Sequence, residues 1–395
     1  MPWKACSRIG ERIRFAKLAL QARGTFVELC GRFGISRTVG YKWKKRFLQE
    51  GKRGLKDLSR RPHRSPHRTS RRWVKWIQRL RRRHCTWGAR KILGWLRRKY
   101  PRADLPSERT IATHLKSMKL TKGQRRRRRG PWISRPPLTQ AKRANHVWTV
   151  DFKGWFRTGN GQRVEPLTIR DLHSRYVLEI RLLTSQRWKL AQAAMRRVFQ
   201  RYGLPEVIRV DNGMPFGSTG PAGLSRLSVW WISLGIGVEY IDPGHPEQNG
   251  GHEQFHRVLK NETTRPPAMT PRAQQRRSDK CRSVYNIDRP HEGLMQRMPA
   301  SVYRPSPRRY RPKPMGYPAT WQTRRVRTNG EVKWRGRKRF VGEAFVGMRV
   351  GFKQLNAESY RVYFGRVLLG EMHDADEGGL RPSAFARRRV RAAQQ

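Results

Sequence analysis

Three acidic residues stand where they could do phosphoryl chemistry. Asp151 lies in the apolar run VWTVDF, Asp211 follows VIRV, and Glu253 lies in GGHEQFHRVLK. Carboxylates that a fold gathers in one cleft can hold two divalent cations about 3.5–4 Å apart, activating a nucleophile and stabilising a leaving oxygen. Mg²⁺ suits such a site, because it takes few carboxylates and completes its shell with water and phosphate oxygens. Glu253 also belongs to a rival pattern: His252, Glu253 and His256 spell H-E-x-x-H, the helix motif of zinc proteases. The longer zinc pattern needs Gly at 259 and His at 262, where this chain has Leu259 and Glu262. With 11 histidines in the chain, a match of three fixed letters arises cheaply by chance.

Helix geometry separates the two readings. Residues three and four apart share a face. Phe255, Val258 and Leu259 make the apolar side, and Glu253, Arg257 and Lys260 make another stripe. That stripe sets a metal ligand beside two phosphate-binding cations. His252 and His256 fall with Phe255 and Leu259 and are expected to line the core edge. Asp171 sits at a turn between two strand-like runs and is given a structural role. Without further support, Asp151 and Asp211 read equally well as strand-end residues that cap turns.

The elements that must position these groups begin near residue 144. VWTVDFKGWF reads as a strand, and EPLTIRDLHSRYVLEIRLL as two strands around a tight turn. A long helix over 186–203, the buried strand EVIRV, a helix in LSRLSVWWISLGI and a short strand at VEYIDPG follow. A hairpin succeeded by alternating helices and strands predicts a mixed sheet with helices on its faces.

The rest of the chain is strongly basic. Its 395 residues carry a formal net charge of +62, and nucleic acid is the polyanion that would neutralise it. Residues 1–143 hold 44 Lys+Arg against 6 Asp+Glu, a net of +38, so the acidic residues concentrate beyond them. FVELCGRFGISRTVGYKWKKRF predicts a helix-turn-helix: Val27, Leu29 and Phe33 form a stripe, Gly34 breaks the helix, and Ser36 caps the next, which runs to Phe47. The second helix offers Arg37, Thr38, Lys42, Lys44 and Lys45 to a major groove. A second helical module follows, helix-turn-helix or winged, with a capping signal at Ser107. The run Arg125, Arg126, Arg127, Arg128, Arg129 reads as a phosphate clamp. Asn329-Gly330 marks a hairpin in a β-patterned C-terminal region that fits a small basic barrel. Four scattered cysteines without a C-x-x-C pair argue against a zinc finger or a disulfide framework. No signal peptide or membrane span is expected.

VWTVDFKGWF, VIRVDNGMPF, PGHPEQNGGHEQFHRVLKNE and YNIDRPHEGL resemble the integrase-core transposases of bacterial insertion sequences, insertion-sequence 481-like, within the retroviral-integrase superfamily. GISRTVGYKW and TWGARKIL resemble the same proteins' N-terminal arm. The resemblance implies an RNase H-like core and Mg²⁺-dependent cleavage and strand transfer of DNA. It assigns Asp151, Asp211 and Glu253 as catalytic metal ligands for two Mg²⁺ ions, with Mn²⁺ as a substitute. Asp151 would bridge both ions. Thirty-five residues separate Asp211 from Glu247, a common spacing in this superfamily, and 41 separate it from Glu253. The extra loop GSTGPAGLS accounts for the longer interval. Glu253 is preferred because its surroundings match the family's helix, and Glu247, in a Pro/Gly turn, stands second.

The expected architecture is multidomain: all-α helix-turn-helix modules, a central α/β RNase H-like core with a mixed sheet, and a small C-terminal β-barrel. The expected divisions are a helix-turn-helix domain over 1–58, a basic linker over 59–72, a second helical domain over 73–121 and an Arg-rich linker over 122–143. The catalytic core then spans 144–305 and the basic β-domain 306–395. The implied partners are double-stranded DNA, as element ends and as target, and further copies of the chain, at least a dimer. The implied location is the bacterial cytoplasm, at the nucleoid. The alternative function is a catalytically inactive, transposase-derived DNA-binding regulator. A metalloprotease and an RNase H-type nuclease are the remaining rivals.

Overall fold

The computed structural model describes residues 8–21, 24–59, 68–121, 138–242 and 245–381. The chain divides into two compact units, Met1–Arg68 and Thr69–Gln395.

The first unit contains α1 (Arg8–Leu20), α2 (Phe26–Arg32) and α3 (Arg37–Glu50). Thr25 and Ser36 begin α2 and α3. Each has extended backbone, and each hydroxyl accepts from the N–H three residues on, at 3.4 Å. Gly34, with φ of 63°, turns the chain between them, and Ile35 N–H returns to the Cys30 carbonyl. The second helix runs three residues past the expected end at Phe47.

Phe15, Ala16, Ala19, Cys30, Trp43 and Leu55 form the core of this unit. The expected inward stripe on α2 is corrected here: Val27 is 57 % exposed, and Cys30 points inward instead. Leu29 and Phe33 pack at the edge of the core. The reason is the close approach of α2 to α3. A Cβ on Gly40 would lie 2.6 Å from Cys30 Sγ and 3.1 Å from both Phe15 and Phe26. Gly40→Ala is therefore expected to destabilise this unit by about 1–3 kcal/mol. Faster amide hydrogen exchange in α2 and α3, with the rest of the chain unchanged, is the readout.

The second unit begins with α4 (Arg71–Arg83), α5 (Ala89–Lys99) and α6 (Glu108–Ser117). Trp73, Ile77, Trp87, Ile92, Leu96 and Ile111 are among the residues they bury together. Ser107 caps α6 by accepting from Thr110 N–H at 3.2 Å, as its position predicts. Arg289 joins this module to the rest of the unit, donating to Thr86 Oγ1 at 2.7 Å beside Glu262 at 3.4 Å.

A six-stranded mixed sheet follows, from β1 (Val147–Phe152), β2 (Phe156–Arg157), β3 (Arg163–Asp171), β4 (Val177–Leu183), β5 (Val207–Val210) and β6 (Gly237–Tyr240). Its order is β2-β3-β1-β5-β6, with β4 also on β3; β1, β5 and β6 are parallel, and β3 is antiparallel to β1 and β4. One face packs Trp148, Val150, Leu167 and Ile169 against α7 (Trp188–Tyr202) and α8 (Arg226–Ser233). The other face meets α9 (Gly250–Thr263) and α10 (Pro271–Ile287), where Val177 and Ile180 contact Phe255, Leu259 and Tyr285. A short helix α11 (Pro299–Val302) closes this region. Asp171 ends β3 fully buried, accepting from Ser174 N–H and Asn145 N–H, each at 2.7 Å.

The C-terminal strands are β7 (Gln322–Arg325), β8 (Glu331–Trp334), β9 (Arg337–Phe340), β10 (Arg349–Gln354), β11 (Ser359–Phe364) and β12 (Val367–His373). They form an antiparallel sheet in the order β12-β11-β10-β7 and a separate pair, β8-β9. Among the described residues these two sheets do not pair into the closed barrel expected. The tight hairpin also differs. Asn329-Gly330 does turn, with Arg327 N–H on the Glu331 carbonyl at 2.8 Å, but it joins strands of different sheets. The hairpin between paired strands is Arg335-Gly336, where both residues have positive φ.

Candidate active site

Strand register sets two of the three carboxylates side by side. Thr149 on β1 pairs with Arg209 on the parallel strand β5. Two residues further along each strand, Asp151 and Asp211 emerge together at the carboxyl ends, the edge where open α/β sheets bind ligands. Glu253 comes from the first turn of α9 and is exposed, where the helix N-terminus favours negative charge. Phe255, Val258 and Leu259 hold that helix to the sheet, as its apolar stripe predicts. Arg257 and Lys260 are exposed on the same helix.

Burial pushes the Asp151 carboxyl up to about 7, and the neighbouring charges of Asp211 and Glu253 push the same way. The Asp211 carboxyl is also raised by burial, against one hydrogen bond from Gly213 N–H at 3.2 Å. Among the described residues, no Lys or Arg forms an ion pair with any of the three. Lys153 stands nearby, its ammonium pushed down by burial and by the charges of Lys260 and Arg265.

The raised Asp151 value has a defined sign. From pH 4 to pH 7 the folded chain holds a proton on this group that the unfolded chain has released, so this contribution to stability falls as pH rises. Without divalent cation, Asp151→Asn is expected to gain stability relative to the wild type across that window. The gain is up to about 4 kcal/mol, each pKa unit being about 1.4 kcal/mol. Paired denaturant titrations at the two pH limits measure it.

The two histidines beside Glu253 are more engaged than a core-edge position implies. His252 is fully buried. Its Nδ1 lies 2.7 Å from Thr149 Oγ1, and its Nε2 lies 2.6 Å from Thr168 Oγ1. His256 Nε2 lies 2.7 Å from the same Thr168 hydroxyl, and its Nδ1 lies 3.7 Å from Asp151 Oδ2. Burial, with Lys153 and Arg170 nearby, lowers His256 to about 3, so the ring is neutral. Asp151, His252 and His256 place possible ligand atoms within 4.8 Å of one another. A zinc site using both histidines would have to displace Thr149 or Thr168 from the fully buried ring.

Glu247 falls in a short 3-10 turn, Pro246–Asn249, rather than a simple loop; its side chain lies outside the described residues. So does the run Arg125 to Arg129. In the first unit, Arg37, Thr38, Lys42 and Lys45 are exposed on α3, while Lys44 is half-buried over the Phe26 ring at 5.6 Å. Tyr41, absent from the expected reading surface, is 58 % exposed on that helix and stacks on Phe26 at 4.3 Å. Its spacing from Thr38, Lys42 and Lys45 was the available signal. Thr149, Thr168 and Lys153 were likewise missed.

Known family models match several stretches of the chain. An integrase core domain matches residues 141–246, and a second integrase core model matches 234–299. A helix-turn-helix domain matches 11–63 and a homeodomain-like domain 39–115. The C-terminal domain of IS481 family transposases matches 321–376. These matches make the chain similar to integrase-core transposases, with a C-terminal region like that of the IS481 family. The chain is 29 % identical over 172 residues to the insertion element IS407 uncharacterized 31.7 kDa protein of Burkholderia multivorans, covering 43 % of the chain and 60 % of the relative. It is 26 % identical over 225 residues to the insertion element IS476 uncharacterized 39.2 kDa protein of Xanthomonas euvesicatoria, covering 56 % and 61 %. The chain thus spans about three fifths of the length of these relatives. Among solved structures, the catalytic core of HTLV-2 integrase in complex with magnesium is similar at 15 % identity and a TM-score of 0.34, covering 42 % of this chain and all of that one. A simian T-cell lymphotropic virus intasome in complex with PP2A regulatory subunit B56 gamma gives 15 % and 0.37, over 67 % of this chain and 90 % of that one.

Proposed function

We propose that this chain binds the terminal inverted repeats of its insertion sequence and catalyses phosphodiester cleavage and 3′-OH strand transfer into target DNA. The observation that carries the reading is the parallel pairing of Thr149 with Arg209, which leaves Asp151 and Asp211 each two residues further on, within electrostatic reach of one another, with Glu253 on α9 acting on Asp151 as well. Partly buried carboxylates that repel one another and lack a Lys or Arg partner fit a cation site. Asp151, Asp211 and Glu253 would hold Mg²⁺, as two ions, with Mn²⁺ able to substitute. When bound, such ions polarise the scissile phosphate and activate the attacking oxygen.

The chain's own residues position the DNA. Arg257 and Lys260 stand on α9 beside Glu253 to meet phosphates, with Lys153 close by. Water attack at the element end frees a 3′-OH, and that 3′-OH then attacks a target phosphodiester in line. The exposed side of α3, with Arg37, Thr38, Lys42, Lys45 and also Tyr41, reads the repeat from a major groove. Lys44 and the run Arg125 to Arg129 contribute phosphate contacts. The domain divisions given by the sequence are retained in this proposal, with the core over 144–305 and a basic β-domain after it. Joining two ends requires at least a dimer on DNA. No described helix is long and apolar enough to cross a membrane, and the proposed location is the bacterial cytoplasm, at the nucleoid.

The test is to incubate the chain with a duplex bearing its element's terminal repeat and Mg²⁺. A nick leaving a 3′-OH at the repeat boundary is expected. Tight binding without a nick would support the inactive-regulator reading. Replacing Lys42 and Lys45 together with Ala should weaken binding and lower the salt slope by about 1 for each lost phosphate contact. Filter binding across a salt series reads both effects.

A further inference from the structure

We propose that His256 is a cation ligand beside Asp151, so that the carboxylate site takes a transition-metal ion such as Mn²⁺ through one imidazole nitrogen. The inference rests on the carboxylate reading above and adds a ligand to it. Hydrogen-bond arithmetic carries it. Thr168 Oγ1 has one hydrogen and three neighbours: the Asp151 main-chain carbonyl at 3.0 Å, His252 Nε2 at 2.6 Å and His256 Nε2 at 2.7 Å. A carbonyl only accepts, so the hydroxyl donates there and both Nε2 atoms donate to the hydroxyl.

A neutral imidazole carries one N–H, which leaves both Nδ1 atoms as bare acceptors. The Thr149 hydroxyl, 2.7 Å from His252 Nδ1 and 3.4 Å from the Arg170 carbonyl, shares its hydrogen between these two acceptors. His256 Nδ1 faces the Asp151 carboxyl instead, with Oδ2 at 3.7 Å, where a bound cation would take the place of the carboxyl proton. That gap is too wide for a hydrogen bond. It is suited to an ion between the two atoms. Bonds of about 2.1 Å to one cation set two ligand atoms about 3.0 Å apart at a right angle and about 4.2 Å apart when opposed. His252 is excluded as a ligand, because it is fully buried and both its nitrogens are engaged. His256 is partly open, with 14 % of its side chain exposed. Imidazole suits transition-metal ions, the later ones most and Mn²⁺ least among them, whereas Mg²⁺ keeps to oxygen ligands.

Pulsed electron paramagnetic resonance of the full chain loaded with Mn²⁺ alone tests this. The wild type should show nitrogen-14 modulation from a directly bound imidazole, and nitrogen-15 histidine labelling should replace that pattern. His256→Gln should lose the modulation and about tenfold in Mn²⁺ affinity, with Mg²⁺ affinity changed by less than about threefold. Asp151→Asn should lose the modulation too. Should His256→Gln fail to fold, the labelled wild type and Asp151→Asn decide the question. Absence of modulation in the wild type, with Mn²⁺ still bound through the carboxylates, overturns the role of His256 and leaves the carboxylate reading standing. Modulation that survives either substitution overturns it as well. Mn²⁺ binding indifferent to Asp151→Asn, Asp211→Asn and Glu253→Gln overturns both the inference and the carboxylate reading.

Discussion

Asp151→Asn, Asp211→Asn and Glu253→Gln are each expected to lower Mg²⁺-dependent end cleavage by on the order of a thousandfold or more. Each substitution keeps the side chain's shape and removes its charge, so the loss is in charge stabilisation at the reacting phosphate, worth several kcal/mol. Repeat binding should stay within about threefold, because most of its affinity comes from Lys and Arg contacts to phosphates. Helix α3, proposed to read the repeat, belongs to the other compact unit, Met1–Arg68. Glu247→Gln serves as the comparison and should cleave normally. Normal cleavage by Glu253→Gln, with loss in Glu247→Gln, would move the third carboxylate to residue 247.

Phe255→Ala is expected to cost about 3–5 kcal/mol of stability. The ring is fully buried between the sheet and α10 and meets Tyr285 edge-on, with centroids 4.9 Å apart. With Val258 and Leu259 it anchors the helix that carries Glu253. Cleavage should therefore fall together with the denaturant midpoint. Phe255→Leu, closer in volume, should cost under about 1.5 kcal/mol and keep most activity. A loss below about 1 kcal/mol for the alanine variant would show that α9 is held by other contacts.

Features set by a few neighbouring residues were readable in the sequence. Ser36 and Ser107 cap their helices as their positions predict. The stripe of Phe255, Val258 and Leu259 does pack inward. What could not be read depends on pairing over long distances. The strand order that aligns Asp151 with Asp211 comes from β1 lying beside β5, some sixty residues away in the chain. Asn329-Gly330 is a sound local turn signal, yet the sheet each flanking strand joins is set elsewhere.

The histidines show the same limit more sharply. On β1, Trp148 and Val150 share one buried face. Thr149 and Asp151 lie on the opposite face, which a lone strand would turn to water. α9 covers that face, so Thr149 and Thr168 are buried and need partners, and His252 supplies them. The spacing of His252 and His256 showed that they share a helix side. It could not show that the surface beneath them is polar. Tyr41 lies on the exposed side of α3, while Trp43 on the same helix is buried.

The most direct test of the central claim separates joining from cleavage. A duplex ending in the element's terminal repeat, already cut to expose its 3′-OH, is mixed with the chain, Mg²⁺ and a supercoiled target plasmid. The account predicts covalently joined ends with the wild type, none when the cation is chelated, and none with Asp151→Asn. Failure of the wild type to join a pre-cut end that it binds, or joining that persists in Asp151→Asn, would contradict it.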